Sequence, residues 1–319
     1  MKTTKSPRGV LVEALQVAQD ALPEYSHRYS PKKFTQHQLF ACLVLKDFYN
    51  LTYRGVVSLL EDCADLRDVI ELTNVPHFTT LQKAADRLLV KRCFRRLLDT
   101  TTRRAKEQGT LRRRPHISAM DTSGFESEHI SRYYASRRTT SGKHGKKRTV
   151  RYRRFPKLGV LCDCDSHLIL EAKVGQGPNP DFAYFEPMLR GATARAKPYT
   201  VTADAGFDSE ANHQISREEL KIQSLIAPFH GRPTSKEPSG RYRRAMKRHL
   251  SQSRYGQRWQ SETVFSMIKR LSGEVVRART YWRRCRLLLL KVLTHNISIL
   301  VAVIGFLLST PDPFSTPSN

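Results

Sequence analysis

Apolar residues recur at helical spacing along roughly the first 110 residues. The segment TQHQLFACLVLKDFYN sets Thr35 as an N-terminal cap before an apolar helix, and TYRGVVSLLEDC repeats the pattern. A third helix is predicted to begin after Pro76 and to run through FTTLQKAADRLLVKRCFRRLLDTTTRRAKEQG, which becomes cationic at its end. Residues 1–110 are therefore predicted to form a helical region. Its pattern fits a DNA-binding or dimerising module and a plain helical bundle equally well.

From about residue 115 the period of the pattern changes from helical to strand-like. Strands are predicted in HISAMD, in YTVTAD, in KIQSLIAP and in FPKLGVLCDCDSHLILEAKV, which would fold as a hairpin about residues 163–167. Helices are predicted in DFAYFEPMLRGATARA and DSEANHQISREEL, with Asp181 and Asp208 as their caps. This order predicts a mixed α/β fold of the α+β kind, in which a mixed β-sheet flanked by helices occupies residues 111–308.

The C-terminal run LLLLKVLTHNISILVAVIGFLL, residues 287–308, is long and apolar enough to cross a bilayer. Its interior holds Lys291, His295 and Asn296, each of which is costly in hydrocarbon. We therefore expect a packed helix of a protein without membrane attachment. Residues 309–319 are expected to be a disordered tail.

Composition adds a strong positive charge to this picture. The 319 residues contain 55 Lys and Arg against 29 Asp and Glu, a formal net charge of +26. A basic excess of this size predicts a polyanionic partner, and in a large folded protein that partner is typically nucleic acid. The six cysteines include no CxxC pair, which disfavours a zinc site, and they are expected to be free thiols in a reducing compartment.

One stretch concentrates the basic residues. Between His129 and Cys162 there is no acidic residue. Gly142 and Gly145 predict a flexible loop here, and we expect it to contact DNA phosphates, although a solvated loop is the alternative. The cations expected to bind are Arg137, Arg138, Lys146, Lys147 and Arg148.

Three carboxylates stand out as candidates for metal-assisted phosphodiester chemistry, which needs acidic residues converging on one point. Asp121 and Asp204 each end a predicted strand and are followed by a Gly-aromatic pair that lets the chain turn. Glu262 lies on a later predicted helix. Asp163 and Asp165 are better explained by the hairpin turn.

The predicted helix around Glu262 places unlike polar groups on one face. At about 100° per residue, Tyr255, Arg258, Glu262 and Lys269 project within a sector of about 60°. Such a stripe can present an aromatic ring, two cations and a carboxylate to one ligand. The alternative is an ordinary surface ion pair between Arg258 and Glu262, which are four residues apart.

The spacing of these four residues resembles the YREK signature of bacterial insertion-sequence DDE transposases, and MDTSGF and TADAGFDSEAN resemble the segments around that family's two aspartates. The resemblance covers residues 35–305. It implies an RNase H-like fold and identifies Asp121, Asp204 and Glu262 as the catalytic and metal-binding triad. It also implies that DNA is bound by Tyr255, Arg258 and Lys269.

The same resemblance implies the cofactor and the partners. Two Mg²⁺ ions are expected, with Mn²⁺ as a substitute, and the substrate is double-stranded DNA with terminal inverted repeats. A homodimer in the synaptic complex and a bacterial cytoplasmic, nucleoid-associated location are implied as well. Only 58 positions separate Asp204 from Glu262, too few for the large β-rich insertion of some relatives. Trp259 is a candidate for stacking on a base.

Overall fold

The computed structural model describes residues 3–127, 136–141, 147–152, 154–228, 237–250 and 252–309. At 136–141, 147–152, Ser253 and 304–309 the description covers the backbone only. The chain divides into two compact units. The first contains the described parts of Met1–Arg112 and Leu290–Asn319, and the second is built from Arg113–Leu289. The first unit thus includes the part of the C-terminal helix that begins at Leu290.

The N-terminal part of the first unit is helical, as the apolar spacing predicts. Thr35 caps its second helix through a reciprocal capping box with Gln38, which confirms the predicted start of that helix. The helices are α1 Pro7–Ala21, α2 Gln36–Phe48, α3 Tyr53–Asp62, α4 Ala64–Asp68, α5 Phe78–Leu88 and α6 Lys91–Glu107.

The prediction of one continuous third helix was wrong, because two separate helices, α5 and α6, occupy this segment. The amide of Leu89 closes α5 onto Ala85, and Val90 then adopts an extended backbone (φ −75°, ψ 154°) that starts α6. Neither Gly nor Pro marks this break in the sequence. β-Branched Val90 gives up helical conformation more readily than its neighbours, but that preference is too weak to locate a helix end.

The second unit is organised around a five-stranded mixed sheet, and the predicted fold class is confirmed. Its strand order is β5-β4-β1-β6-β7; β1, β6 and β7 run parallel, whereas β4 and β5 are antiparallel to their neighbours. The hairpin between β4 and β5 turns where predicted, and Asp163 accepts hydrogen bonds there from Ser166. The strands of this sheet are β1 Ile117–Gly124, β4 Phe155–Asp163, β5 Ile169–Gly177, β6 Thr200–Ala203 and β7 Gln223–Ile226.

The basic stretch was predicted to be a flexible loop, and that was wrong for its described residues. Strand β2, Ser136–Ser141, pairs antiparallel with β3, Lys147–Tyr152, in register from Ser136 opposite Tyr152 to Ser141 opposite Lys147. Strand β2 contains two threonines, and β3 contains Thr149, Val150 and Tyr152; these residue types favour extended backbone. The Gly and Lys content masked this preference in the sequence.

Helices cover the sheet, although two predicted caps are absent. Asp181 precedes α7 without capping it, and α8 begins after Ser209, while Asp208 is buried and pairs with Arg243 at 2.7 Å. Both carboxylates pair with cations from other elements, and these ion pairs take the place of hydrogen bonds to the start of the following helix. The helices are α7 Phe182–Arg195, α8 Glu210–Gln214 with a π-helical turn Ile215–Glu219, α9 Arg241–His249, α10 Gln252–Gly256, α11 Trp259–Ser272 and α12 Tyr281–Ser309.

Helix α12 contains the one described segment, Tyr281–Val303, that is long and apolar enough to cross a membrane. In the structure 78% of the most apolar 18-residue stretch of this segment is buried within the protein. Lys291 Nζ lies 3.7 Å from Asp47 Oδ1, and Asn296 donates to Thr101 Oγ1 at 3.4 Å. The predicted packed helix with polar partners is therefore confirmed.

Candidate active site

Asp121 and Asp204 leave neighbouring parallel strands at the same level of the sheet. The pairing of β1 with β6 ends at Met120 opposite Ala203, and each aspartate is the next residue of its chain. Neighbouring strands lie about 4.8 Å apart, so the two carboxylates emerge side by side. The prediction that Asp121 ends its strand was wrong, because pairing with β4 carries β1 three residues further, to Gly124.

The surroundings of Asp121 disfavour the ionised form of its carboxyl group. Its pKa is raised from 3.8 to about 6, chiefly by burial, and the charges of Asp204 and Glu262 act in the same direction. The amide of Thr122, which donates to Asp121 Oδ1 at 2.7 Å, and the guanidinium of Arg258 act in the opposite direction on this pKa. Asp121 therefore lies within the fields of Asp204, Glu262 and Arg258, the other three charged groups predicted at this point.

The Asp204 side chain is held by its own loop. Asp204 Oδ1 accepts the amide hydrogen of Gly206 at 2.7 Å, in a 3₁₀ turn Ala205–Phe207 that starts directly after β6. This turn is the local consequence of the sequence AGF. It directs the chain away from the sheet while the carboxylate stays at its edge.

The helix that was predicted to carry Tyr255 through Lys269 is interrupted. Tyr255 belongs to α10, and Arg258 stands at the N-cap of α11 with helical backbone angles. Even so, Arg258 donates to Glu262 at 2.7 Å, as the predicted common face requires. Burial raises the pKa of Tyr255, which also lies within the fields of Arg258 and Asp204.

A cleft of about 450 Å³ lies between β1 and α11. Lys269 lines this cleft together with Asp121 and Glu262, and its Nζ lies 5.5 Å from the ring centre of Phe125 and 3.9 Å from Glu274. The cleft is lined by Asp121, Thr122, Ser123, Glu262, Phe265, Ser266, Lys269, Arg270 and Glu274. Tyr255 lies within the field of Asp204, whereas Arg258 lies within the fields of Asp121 and Glu262.

The donor set fits a hard divalent cation. Asp121 and Asp204 offer carboxylate oxygens, the ligands that Mg²⁺ prefers, and their mutual repulsion is what a cation would relieve. Within the described part of the chain, no three acidic, His or Cys side chains lie close enough to hold one ion. The carboxylate of Glu262 is 57% exposed and pairs with Arg258, so a third protein ligand requires that carboxylate to turn toward the aspartates.

The predicted phosphate-binding cations fall on the basic ribbon, which we define as β2 and β3. Arg137 and Arg138 lie on β2, whereas Lys147 and Arg148 lie on β3. Lys146 lies outside the described residues. The register places Arg137 opposite Arg151, so this ribbon carries cations on both of its strands.

Sequence reasoning missed a polar contact behind the two aspartates. Asp181 Oδ1 accepts a hydrogen bond from Thr122 Oγ1 at 2.6 Å and pairs with Lys157. In the sequence Asp181 looks like an ordinary helix cap after a Gly-Pro-rich turn. The signal that distinguishes it is tertiary, because Thr122 and Lys157 come from two different strands.

The family comparison agrees with this architecture. The model of a family described as transposase DDE domain matches residues 92–297, more than half of the chain. The match contains the whole sheet and all three candidate carboxylates. No curated protein matches the sequence.

Proposed function

The chain belongs to the transposase DDE domain family, and from this premise we propose that it is the transposase of a bacterial insertion sequence of the group with the YREK signature. We propose that it cuts double-stranded DNA at terminal inverted repeats and joins the freed 3′ ends to target DNA. The observation that carries this proposal is the emergence of Asp121 and Asp204 at one level of adjacent parallel strands, with Asp121 within the electrostatic reach of Glu262.

In this proposal Asp121, Asp204 and Glu262 hold two Mg²⁺ ions, for which Mn²⁺ can substitute. When bound, the ions supply an activated water and stabilise the leaving oxygen of the phosphodiester. The protein's own contribution is to orient the DNA. Arg258 is positioned to exchange its partner, from the Glu262 carboxylate to a DNA phosphate, which frees Glu262 to turn toward the aspartates.

The other cations bind the DNA backbone. Lys269 lines the cleft beside Asp121 and is placed to contact the terminal phosphate of the element. The basic ribbon adds contacts that do not depend on sequence. Trp259 is 53% exposed at the start of α11 and offers a ring on which a displaced base can stack. We place this activity in a homodimeric synaptic complex on the bacterial nucleoid in the cytoplasm.

The test is cleavage and joining of a DNA substrate bearing the inverted repeats that flank the gene. Asp121→Ala, Asp204→Ala and Glu262→Ala should each abolish Mg²⁺-dependent cleavage while DNA binding persists, because they remove metal ligands and no phosphate contact. Binding by the parent without any cleavage would identify an inactive DNA-binding protein derived from a transposase. Cleavage without joined products would identify a nuclease. Inverted repeats bracketed by a short direct duplication in the flanking DNA would support the transposase.

A further inference from the structure

A fourth carboxylate, that of Asp181, bonds to the residue after Asp121 and lies beside the turn that follows Asp204. Its Oδ1 accepts a hydrogen bond from Thr122, the residue after Asp121, at 2.6 Å. Its Oδ2 faces the turn after Asp204: a Cβ atom placed on Gly206 would lie 3.1 Å from Asp181 Oδ2 and 3.0 Å from Asp204 Oδ1. One side chain therefore bonds to the segment after Asp121 and lies close to the segment after Asp204.

Lys157 neutralises this carboxylate. It lies on β4 opposite Gly124 of β1, pairs with Asp181 and donates to the carbonyl oxygen of Asn179 at 2.7 Å. The Lys157 side chain is only 10% exposed, and that of Asp181 28%. The ion pair consequently holds the turn before α7 against the sheet without adding a net negative charge beside Asp121.

Helix α7 gives Asp181 a rigid base. It packs closely on β4 at Gly159, where an added Cβ would lie 2.8 Å from Tyr184 and 2.9 Å from Met188. Met188 is fully buried and Tyr184 nearly so. A residue directly before a helix packed in this way has little conformational freedom, so the Asp181 carboxylate is held in place beside the two strand ends.

We propose that Asp181 is a positioning residue that sets the separation of the Asp121 and Asp204 carboxylates through Thr122 and the Gly206 turn, with Lys157 as its counter-ion. The inference rests on the proposed function, because it assigns Asp181 to the support of the same metal site. Groups that orient metal ligands from behind are worth about 10–100-fold in metal affinity or activity when they are removed.

The decisive variant is Thr122→Val, which keeps the shape of the side chain and removes only the donor to Asp181. We expect the Mn²⁺ concentration for half-maximal binding, measured from the free-ion electron paramagnetic resonance signal, to rise about tenfold. The metal concentration for half-maximal cleavage should rise in parallel, whereas metal-free DNA affinity should not change. Thr122→Ser retains the hydroxyl and should restore the parent values.

The matched control is Thr193→Val on α7, which removes a half-buried hydroxyl that bonds only to Leu189 O within its own helix. It should leave both metal midpoints unchanged. Asp181→Ala provides a second variant, with folding checked by circular dichroism, and should shift the midpoints at least as far as Thr122→Val. If Thr122→Val does not fold, the comparison of Asp181→Ala with Asp181→Asn, which keeps an acceptor for Thr122, replaces it.

Equal metal midpoints in the parent, Thr122→Val and Asp181→Ala would overturn the inference and leave Asp181 as an ordinary ion-pair partner. A parent that binds Mn²⁺ but does not cleave the terminal repeats would overturn the proposed function. The Mn²⁺ titration would still decide the role of Asp181 in that case, so the two failures are distinguishable.

Discussion

Replacing Asp121 by Asn should stabilise the metal-free protein while it destroys the site. The pKa of Asp121 is raised from 3.8 to about 6, chiefly by burial and then by the charge of Asp204. Ionisation therefore costs the folded state up to about 3 kcal/mol, at 1.36 kcal/mol per pKa unit. Partial solvent access reduces this figure, and we expect Asp121→Asn to raise the free energy of unfolding by about 1–2 kcal/mol at pH 8. The Asn oxygen can still accept the amide hydrogen of Thr122.

The sign of the effect follows from the direction of the shift. Because the folded pKa is the higher one, the protonated carboxyl is favoured on folding. The penalty is absent below about pH 4, grows between about pH 4 and 6, and is constant above. The stability gain of Asp121→Asn should follow the same course. Mg²⁺ should shrink the gain at pH 8, since a bound cation removes the repulsion in the parent and cannot do so fully in the variant.

The assay is urea unfolding of both proteins in chelator at pH 8 and pH 4.5, followed by repetition at pH 8 with Mg²⁺. Glu61→Gln, an exposed carboxylate at the end of α3, is the control and should change stability by less than about 0.5 kcal/mol. An Asp121→Asn protein that is no more stable than the parent at pH 8 would refute the reasoning. A gain of equal size at both pH values would also refute it, because the effect would then owe nothing to ionisation.

Three further predictions test other parts of the molecule. Neutralising Arg137, Arg138, Lys146, Lys147 and Arg148 together should flatten the dependence of log K for DNA on log salt by about 0.9 per lost contact, and an unchanged slope would mean that these cations are merely solvated. Exchanging Glu262 with Thr263 conserves composition but turns the carboxylate by about 100° around α11, so cleavage should disappear; parental activity would make Glu262 an ordinary partner of Arg258. Lys291→Ala removes a cation from the buried Asp47 and should lower the free energy of unfolding by about 3–5 kcal/mol, whereas a loss below 1 kcal/mol would show that the pair is not needed.

The sequence was most informative where one periodicity held over a whole element. The alternation of YTVTAD fixed β6 and put Asp204 at its end, and the cap at Thr35 fixed the start of α2. The common face of Arg258 and Glu262 was predictable as well, since residues four apart on a helix are neighbours. These features depend on local backbone geometry alone.

Features that depend on pairing between distant segments could not be predicted. The extent of β1 beyond Asp121 is set by β4, some forty residues later. Asp181 had the sequence signature of a cap, yet a lysine and a threonine from two strands determine what it binds. The basic ribbon was missed because composition outweighed the β preference of its threonines.

The position of α12 has a consequence for synthesis of the chain. Its second half, from Leu290, belongs to the unit formed by the N-terminal helices, and the backbone amide of Thr4 bonds to Ser298 O. The N-terminal helices thus lack the helix that completes their unit until the chain has been synthesised through α12, and the usual order in which an N-terminal domain folds first does not apply. A product truncated before residue 290 would expose the surface that α12 buries and would be a substrate for proteases.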